Sequence, residues 1–281
     1  MCNKLDSRSQ QGEAINSINI YRIYDHKVLA EINNANALVV GASQGIGLGF
    51  VRLLLQSDNI TKIYATYRNQ ESAGELFTLK EKHRDRLECL CLDITEESQI
   101  EAGIKQIKES VKRLHLTIYC VGVLHEGELT PEKSLKQIVP ENLLYYFQVN
   151  SIGAVLLAKH LMPLFKHSDR SIFASISAKV GSIEDNHLGG WYGYRASKAA
   201  LNMFLKTIAI EYSRRCPKTI VVALHPGTTD TRLSQPFQKN VPPEKLFPVE
   251  HTVNLLSTVI KGLEIKNSGH FFSWDGTLLP W

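Results

Sequence analysis

From Ala37 onward, short runs of successive apolar residues alternate with longer segments whose apolar positions recur every three or four residues. The short runs, each bounded by turn residues, predict strands at Ala37 to Gly41, Lys62 to Thr66, Leu87 to Leu92, Leu116 to Val121, Ser171 to Ile176, Thr219 to Leu224 and Gly269 to Ser273. Most are apolar on consecutive residues, so both faces are covered, as in a parallel sheet flanked by helices. Between the third and fourth strands, Ile100, Ile104, Ile107 and Val111 fall on one side of a helical wheel, while Glu96, Glu97, Lys105 and Lys108 can face water. The mixed-charge run Lys80 to Arg86 reads as the solvated end of another helix. No repeat of solenoid period is present. The pattern is that of repeated βαβ units, and it predicts an α/β chain with a doubly wound parallel sheet.

Residues 1 to 35 are polar and irregular, and the patch from Ile18 to Tyr24 fits neither a helical nor an alternating template. They are read as an N-terminal extension, with one domain over 36–281. A length of 281 residues, 43% of them hydrophobic, suits one large core and excludes wholesale disorder. With 32 basic and 28 acidic side chains the net charge is only +4, which gives no electrostatic case for nucleic acid or a membrane surface. The five cysteines, an odd number without metal-ligand spacing, indicate free thiols in a reducing compartment. Cys89 and Cys91 read as buried strand residues. The amino terminus lacks a secretory apolar core and no apolar run reaches membrane-spanning length, so a cytoplasmic location is expected.

The first predicted strand runs into Gly41-Ala42-Ser43-Gln44-Gly45-Ile46-Gly47, followed by an apolar helix. Glycines here let the chain turn tightly and let a pyrophosphate approach the unpaired N–H groups of the helix N-terminus; a purely structural turn is the other reading. At the end of the second strand an NAD site would place an acid on the ribose hydroxyls, but this chain has Thr66-Tyr67-Arg68-Asn69. The guanidinium of Arg68, helped by Ser43, suits a 2′-phosphate, so NADP(H) is favoured with NAD(H) possible; the alternative is that Arg68 is a surface cation. Asp93-Ile94 closes the third strand, where the carboxylate either accepts from an adenine amino group or caps a helix. Gly122 lets the chain after the fourth strand pass close to a cofactor.

Tyr194 and Lys198 stand at i and i+4 in a strongly helix-forming segment, hence on one face. An ammonium beside a phenol favours phenolate, and moving a tyrosine from about 10 towards 7 needs roughly 4 kcal/mol of differential stabilisation. Such a phenol can pass a proton to a carbonyl oxygen; an exposed helix pair is the bland alternative.

The order of these motifs, with Val149-Asn150-Ser151-Ile152-Gly153, Tyr194-Arg195-Ala196-Ser197-Lys198 and His225-Pro226-Gly227-Thr228-Thr229-Asp230-Thr231, resembles the short-chain dehydrogenase/reductase family over about residues 37 to 276. The stretches from Ala178 to Asn186, from Gly189 to Tyr194 and from Trp274 to Trp281 are similar to the C-factor branch of small carbonyl reductases. The resemblance implies a Rossmann-type sheet of about seven parallel strands. It also implies hydride transfer between a nicotinamide cofactor and a small carbonyl or alcohol substrate. Tyr194 would be the acid. Lys198 would lower its pKa and hold the nicotinamide ribose, and Asn150, in a long helix, would anchor a water that relays protons to Lys198. Pro226, Gly227 and Thr231 would line the nicotinamide and pyrophosphate. Pairing into a homodimer or homotetramer through the helices carrying Asn150 and Tyr194 is also implied.

Two positions depart from the family pattern. Tyr119-Cys120-Val121-Gly122 stands where Asn-Asn-Ala-Gly is common, and Ala178 stands where the substrate-orienting serine is expected. Ser177 is the candidate replacement, with Ser182 the other. A sensor or signalling protein that binds NADP(H) with weak or no catalysis is therefore the alternative to a reductase. The segment between Arg232 and Pro248, rich in proline and without helical period, reads as a substrate-covering lid or an inert surface loop.

Overall fold

The computed structural model describes Leu29 and residues 31–281. Each predicted strand forms: β1 (Ala35–Val40), β2 (Ile60–Tyr67), β3 (Leu87–Cys91), β4 (Leu116–Tyr119), β5 (Ser171–Ile176), β6 (Thr219–His225) and β7 (His270–Ser273). They make one seven-stranded sheet in the order β3-β2-β1-β4-β5-β6-β7, with every neighbouring pair parallel. Seven α-helices are described, α1 (Gly45–Leu55), α2 (Gly74–Lys82), α3 (Glu97–Ser110), α4 (Pro140–Phe147), α5 (Gly153–Phe165), α6 (Tyr192–Arg215) and α7 (Val249–Gly262). A two-residue parallel pairing, Thr228–Thr229 with Leu246–Phe247, lies apart from the sheet. Among the described residues no helix is long and apolar enough to cross a membrane.

The strand alternation divides the core in two. Ala37, Val39, Ile118, Ala174 and Val222 pack against α1 and α7, while Leu38, Val40, Tyr119, Phe173 and Val221 pack against α3, α5 and α6. The apolar stripe of α3 is buried as its spacing predicts, through Ile100, Ile104 and Ile107. Val111, just past the end of that helix, takes an extended conformation.

The structure departs from the sequence reading at the N-terminal boundary, at the charged run around the end of α2, and at Cys91, which is exposed rather than buried, with Cys89 half-buried. The patch from Ile18 to Tyr24 and Cys2 lie outside the described residues, but Leu29 and Ile32 are buried in the core and the Asn59 amide donates to both their carbonyls. The packed domain therefore includes residues before 36. The charged run after α2 is also not wholly solvated. Arg86 is half-buried, and its guanidinium donates to the carbonyls of Leu54, Leu55, Ser57 and Ile60, closing the C-terminus of α1. Arg86→Ala is expected to cost about 3 kcal/mol, because it strips charged donors from these carbonyls; thermal unfolding beside Arg84→Ala, whose partner Glu81 is exposed, checks this.

Candidate active site

In a parallel sheet all strands end on one side, and the crevice lies where strand order reverses, here between β1 and β4. The turn after β1 is pinned from β2: Thr66 accepts the Gly41 N–H on its hydroxyl at 3.1 Å and the Ala42 N–H on its carbonyl at 2.7 Å. Gly41 holds φ at +79°, and a Cβ on Gly47 would overlap the Gly41 carbonyl oxygen, so both must be glycine for strand and helix to meet. No side chain caps α1 and its first turn has no acid, which leaves a helix N-terminus suited to an anion between Ser43, Gln44, Gly45 and Ile46. The segment after β6 returns to this turn: the Thr231 methyl would sit 3.3 Å from a Cβ on Gly45. Gly227 packs its backbone against Phe247 and Trp274. These features fit a dinucleotide.

Asp93, after β3, accepts from the Thr95 N–H and hydroxyl on Oδ1, at 2.9 and 2.7 Å. It forms a local turn and does not cap α3, whose N-cap is Glu96. Ile94 is buried beside it. Arg68, directly after β2, is neither a free surface cation nor alone: it pairs with Glu126 at 2.6 Å and reaches the Tyr145 hydroxyl at 3.4 Å.

Asn150 lies in a π-helical turn, Gln148–Ile152, between α4 and α5, rather than in an uninterrupted α-helix. There the Gly153 N–H reaches back to Gln148, and the Val149 carbonyl instead accepts from Tyr119 at 3.2 Å. Tyr119 thus supplies polar support to the neighbouring helix, at a position where the family commonly has asparagine. Both N–H donors of the Asn150 side chain are used, and its oxygen holds one of the two bonds it can accept. Its Oδ1 accepts from the Val123 N–H at 2.7 Å, and its Nδ2 donates to the Val123 carbonyl at 2.9 Å and to the Ser197 hydroxyl at 3.0 Å. Ser197 in turn donates to the Tyr194 carbonyl at 2.8 Å. One amide ties the loop after β4 to the helix that carries Tyr194 and Lys198.

Those two side chains are buried together, with the Lys198 Nζ 5.9 Å from the centre of the Tyr194 ring. Lys198 donates to the Ile176 carbonyl at 3.2 Å, and Gly122 passes close by: a Cβ there would meet Nζ at 3.4 Å and the Asn150 Oδ1 at 3.5 Å. Burial pulls Lys198 down to about 8, partly opposed by Cys120, and pushes the Tyr194 phenol upward. That is opposite to the lowering expected from their spacing, because burial, which disfavours the charged phenolate, is what acts on the phenol. Among the described residues the Tyr194 hydroxyl has no hydrogen-bond partner in the protein.

Ser177 does not join this group. Its buried hydroxyl donates to the Asn202 Oδ1 at 2.6 Å, while the neighbouring residue Ala178 packs into the cluster around Tyr194. Adjacent extended residues face opposite ways. Ser182 is engaged as well, donating to the Trp281 carbonyl at 3.2 Å and accepting from the Asp185 N–H at 3.1 Å. Above Tyr194, the Trp191 ring lies 6.1 Å from its ring and 5.0 Å from that of Phe237. Phe237 belongs to the segment after Arg232, which forms two short 3-10 turns, and the Arg232 carbonyl lies 3.0 Å from His125 Nε2. The segment therefore lies over the crevice. Leu233, with Trp191 and Phe237, packs against the Tyr194 cluster, whereas Leu188 is 92% exposed and stays outside it.

Glu132 carries no local signal of its role in the sequence. It is 3% exposed, and its Oε2 accepts from the Gly193 N–H at 3.1 Å, satisfying from 61 residues away a first-turn donor of α6, whose N-cap is Trp191. Its carbonyl accepts from Trp191, whose φ of +53° is strained for a non-glycine residue. Glu132→Ala is expected to cost about 2 kcal/mol and Glu132→Gln, which keeps an acceptor, less; thermal unfolding of both variants measures the difference.

Comparison with known proteins agrees with this geometry. Residues 35–242 match the family model described as short chain dehydrogenase. A benzil reductase ((S)-benzoin forming) of Saccharomyces cerevisiae is 31% identical over 218 residues, covering 75% of this chain and 78% of that protein. C-signal of Myxococcus xanthus is 31% identical over 135 residues, 48% of this chain and 76% of that protein. The NADPH-bound carbonyl reductase from chicken fatty liver superposes with a TM-score of 0.79 at 28% identity, over 89% of this chain and 100% of that one.

Proposed function

The chain belongs to the short chain dehydrogenase family, and from that premise we propose that it is an NADP(H)-dependent reductase of small ketones or aldehydes, acting through Tyr194. The observation that carries this reading is the burial of Tyr194 and Lys198 together, at the carboxyl edge of the sheet, beside Gly122 and the glycine turn. The cofactor, when bound, supplies the hydride. Gly41, Gly45, Gly47 and the N-terminus of α1 hold its pyrophosphate, Asp93 and Ile94 flank its adenine, and Pro226, Gly227 and Thr231 line its other end. Arg68, with no acid at the end of β2, favours the 2′-phosphate, and NAD(H) remains a weaker ligand.

Burial keeps the Tyr194 phenol protonated at neutral pH, the form that can donate to a carbonyl oxygen. Lys198 spends one N–H on the Ile176 carbonyl and has two left to steady the phenolate that forms and to hold a ribose hydroxyl. Asn150 spends both side-chain N–H donors on Val123 and Ser197, which positions the loop and α6, and its Oδ1 can still accept one bond from a water that relays protons to Lys198. Trp191, Leu233 and Phe237 give the substrate an apolar wall. Exposed Leu144, Ile152, Met203 and Ile210, on the helices around Asn150 and Tyr194, support pairing into a homodimer or homotetramer. The free thiols at Cys89, Cys91, Cys120 and Cys216 suit a reducing cytoplasm.

Purified protein given NADPH and a panel of aldehydes, ketones and quinones tests the reading: turnover supports it, and tight NADPH binding without turnover selects the sensor alternative, which the apolar Ala178 favours. The rate of reduction is expected to hold from about pH 6 to 7.5. It should fall above the Lys198 value of about 8, because the amine there loses the charge that steadies the phenolate. Lys198→Met should be slow at every pH and lack that limb; a falling limb surviving in this variant assigns the ionisation elsewhere.

A further inference from the structure

At the adenosine end of the crevice, three side chains from distant parts of the chain close on one another. The Arg68 guanidinium donates to the Glu126 Oε1 at 2.6 Å and to the Tyr145 hydroxyl at 3.4 Å, and that hydroxyl donates to the Glu126 Oε2 at 2.5 Å. Both carboxylate oxygens are taken. Glu126 is also fixed in place: its N–H and carbonyl exchange hydrogen bonds with Leu129, closing a tight turn through Gly127, which holds φ at +59°. Arg68 follows β2 directly, and its side chain and that of Glu126 are 52% and 46% exposed, so the pair is open to an incoming anion.

We propose that Glu126 is a specificity-determining residue: a built-in anion that occupies Arg68 and must yield it to the 2′-phosphate, setting how strongly the phosphorylated dinucleotide is preferred over the unphosphorylated one. This inference rests on the assignment of Arg68 to the 2′-phosphate. A guanidinium has five N–H donors in a planar fork, and a phosphate approaching it meets a carboxylate already within hydrogen-bonding distance. The two anions repel, and the phosphate's gain is reduced by the ion pair it displaces. A dinucleotide without the 2′-phosphate brings no charge to this spot and leaves the pair intact. Tyr145 holds the second carboxylate oxygen and keeps Glu126 turned toward the arginine.

Glu126→Gln keeps the side chain's shape and an acceptor for Arg68 while removing the charge. By calorimetric titration of the intact protein it is expected to bind NADPH about five-fold more tightly than wild type, with NADH affinity unchanged within about two-fold, and the gain should shrink at high salt. Tyr145→Phe, which frees one carboxylate oxygen, is expected to shift NADPH affinity in the same direction by less. Arg68→Gln should weaken NADPH and spare NADH, and adding Glu126→Gln to it should change nothing further. If Arg68→Gln leaves the NADPH preference intact, the assignment of Arg68 fails. If Arg68→Gln lowers it but Glu126→Gln leaves NADPH binding unchanged or weaker, the role given to Glu126 alone is overturned.

Discussion

Tyr194→Phe is expected to lower the rate of carbonyl reduction by about a thousand-fold while NADPH binding and thermal stability stay near wild type. The separation between these readouts follows from the surroundings of the ring. The phenol is 5% exposed and packs edge-on against Tyr146 and Trp191, with ring centres at 6.4 and 6.1 Å, contacts that phenylalanine keeps. Its hydroxyl has no protein partner among the described residues, so its removal strands no donor or acceptor. A hydroxyl left without a partner in so buried a cluster is available to a ligand. Steady-state kinetics on any carbonyl the wild type reduces, with calorimetric NADPH titration and thermal unfolding alongside, measure the three quantities. Unchanged turnover in the variant would remove Tyr194 from the chemistry.

How far the site could be read from the sequence depended on whether the information was local. Continuous apolarity at Ser171 to Ile176 and Thr219 to Leu224 reports burial on both faces, and those strands form within a residue of their expected limits. The glycine turn was legible because its geometry is dictated within seven residues. Glu126 and Glu132 were not, since one meets Arg68 across 58 residues and the other meets Gly193 across 61, and only the strand order brings them together. Arg86 looked like part of a solvated run because composition cannot tell that four carbonyls converge on it. The π turn at Asn150 was hidden for a related reason: its register change is coupled to Tyr119, a residue from another strand.

The same distinction governs the charges. Spacing places Tyr194 and Lys198 on one face, but spacing does not say how deeply that face is buried. At their depth desolvation is the leading influence on both, favouring neutral phenol and weakening the ammonium's hold on its proton. A neutral phenol is what a proton donor requires before the reaction, and a charged amine is what the phenolate requires after it. With Lys198 near 8, both conditions hold together at neutral pH, as the proposed roles of the two residues require.

Ala178→Ser is expected to raise the rate of reduction by roughly a hundred-fold, the reverse of what introducing a polar group beside an apolar cluster does to stability. By the motif resemblance Ala178 falls where the family's serine is expected, and it packs against the cluster containing Tyr194, Trp191 and Phe237. The two nearby serines cannot stand in, since the Ser177 hydroxyl is held by Asn202 and that of Ser182 by the Trp281 carbonyl. In the proposed mechanism a developing oxyanion here relies on the Tyr194 phenol, and one added neutral donor in a shielded site is worth about 2.7 to 4 kcal/mol in the transition state. The new hydroxyl is small, and Ala178 is only half-buried, so its cost to folding should stay below about 1 kcal/mol. Ala178→Cys, close to serine in size but only a weak donor, controls for altered packing. A rise in turnover with serine but not cysteine, at unchanged NADPH affinity, assigns the gain to the hydroxyl. No rise with serine would mean that this chain already supplies its second donor from elsewhere.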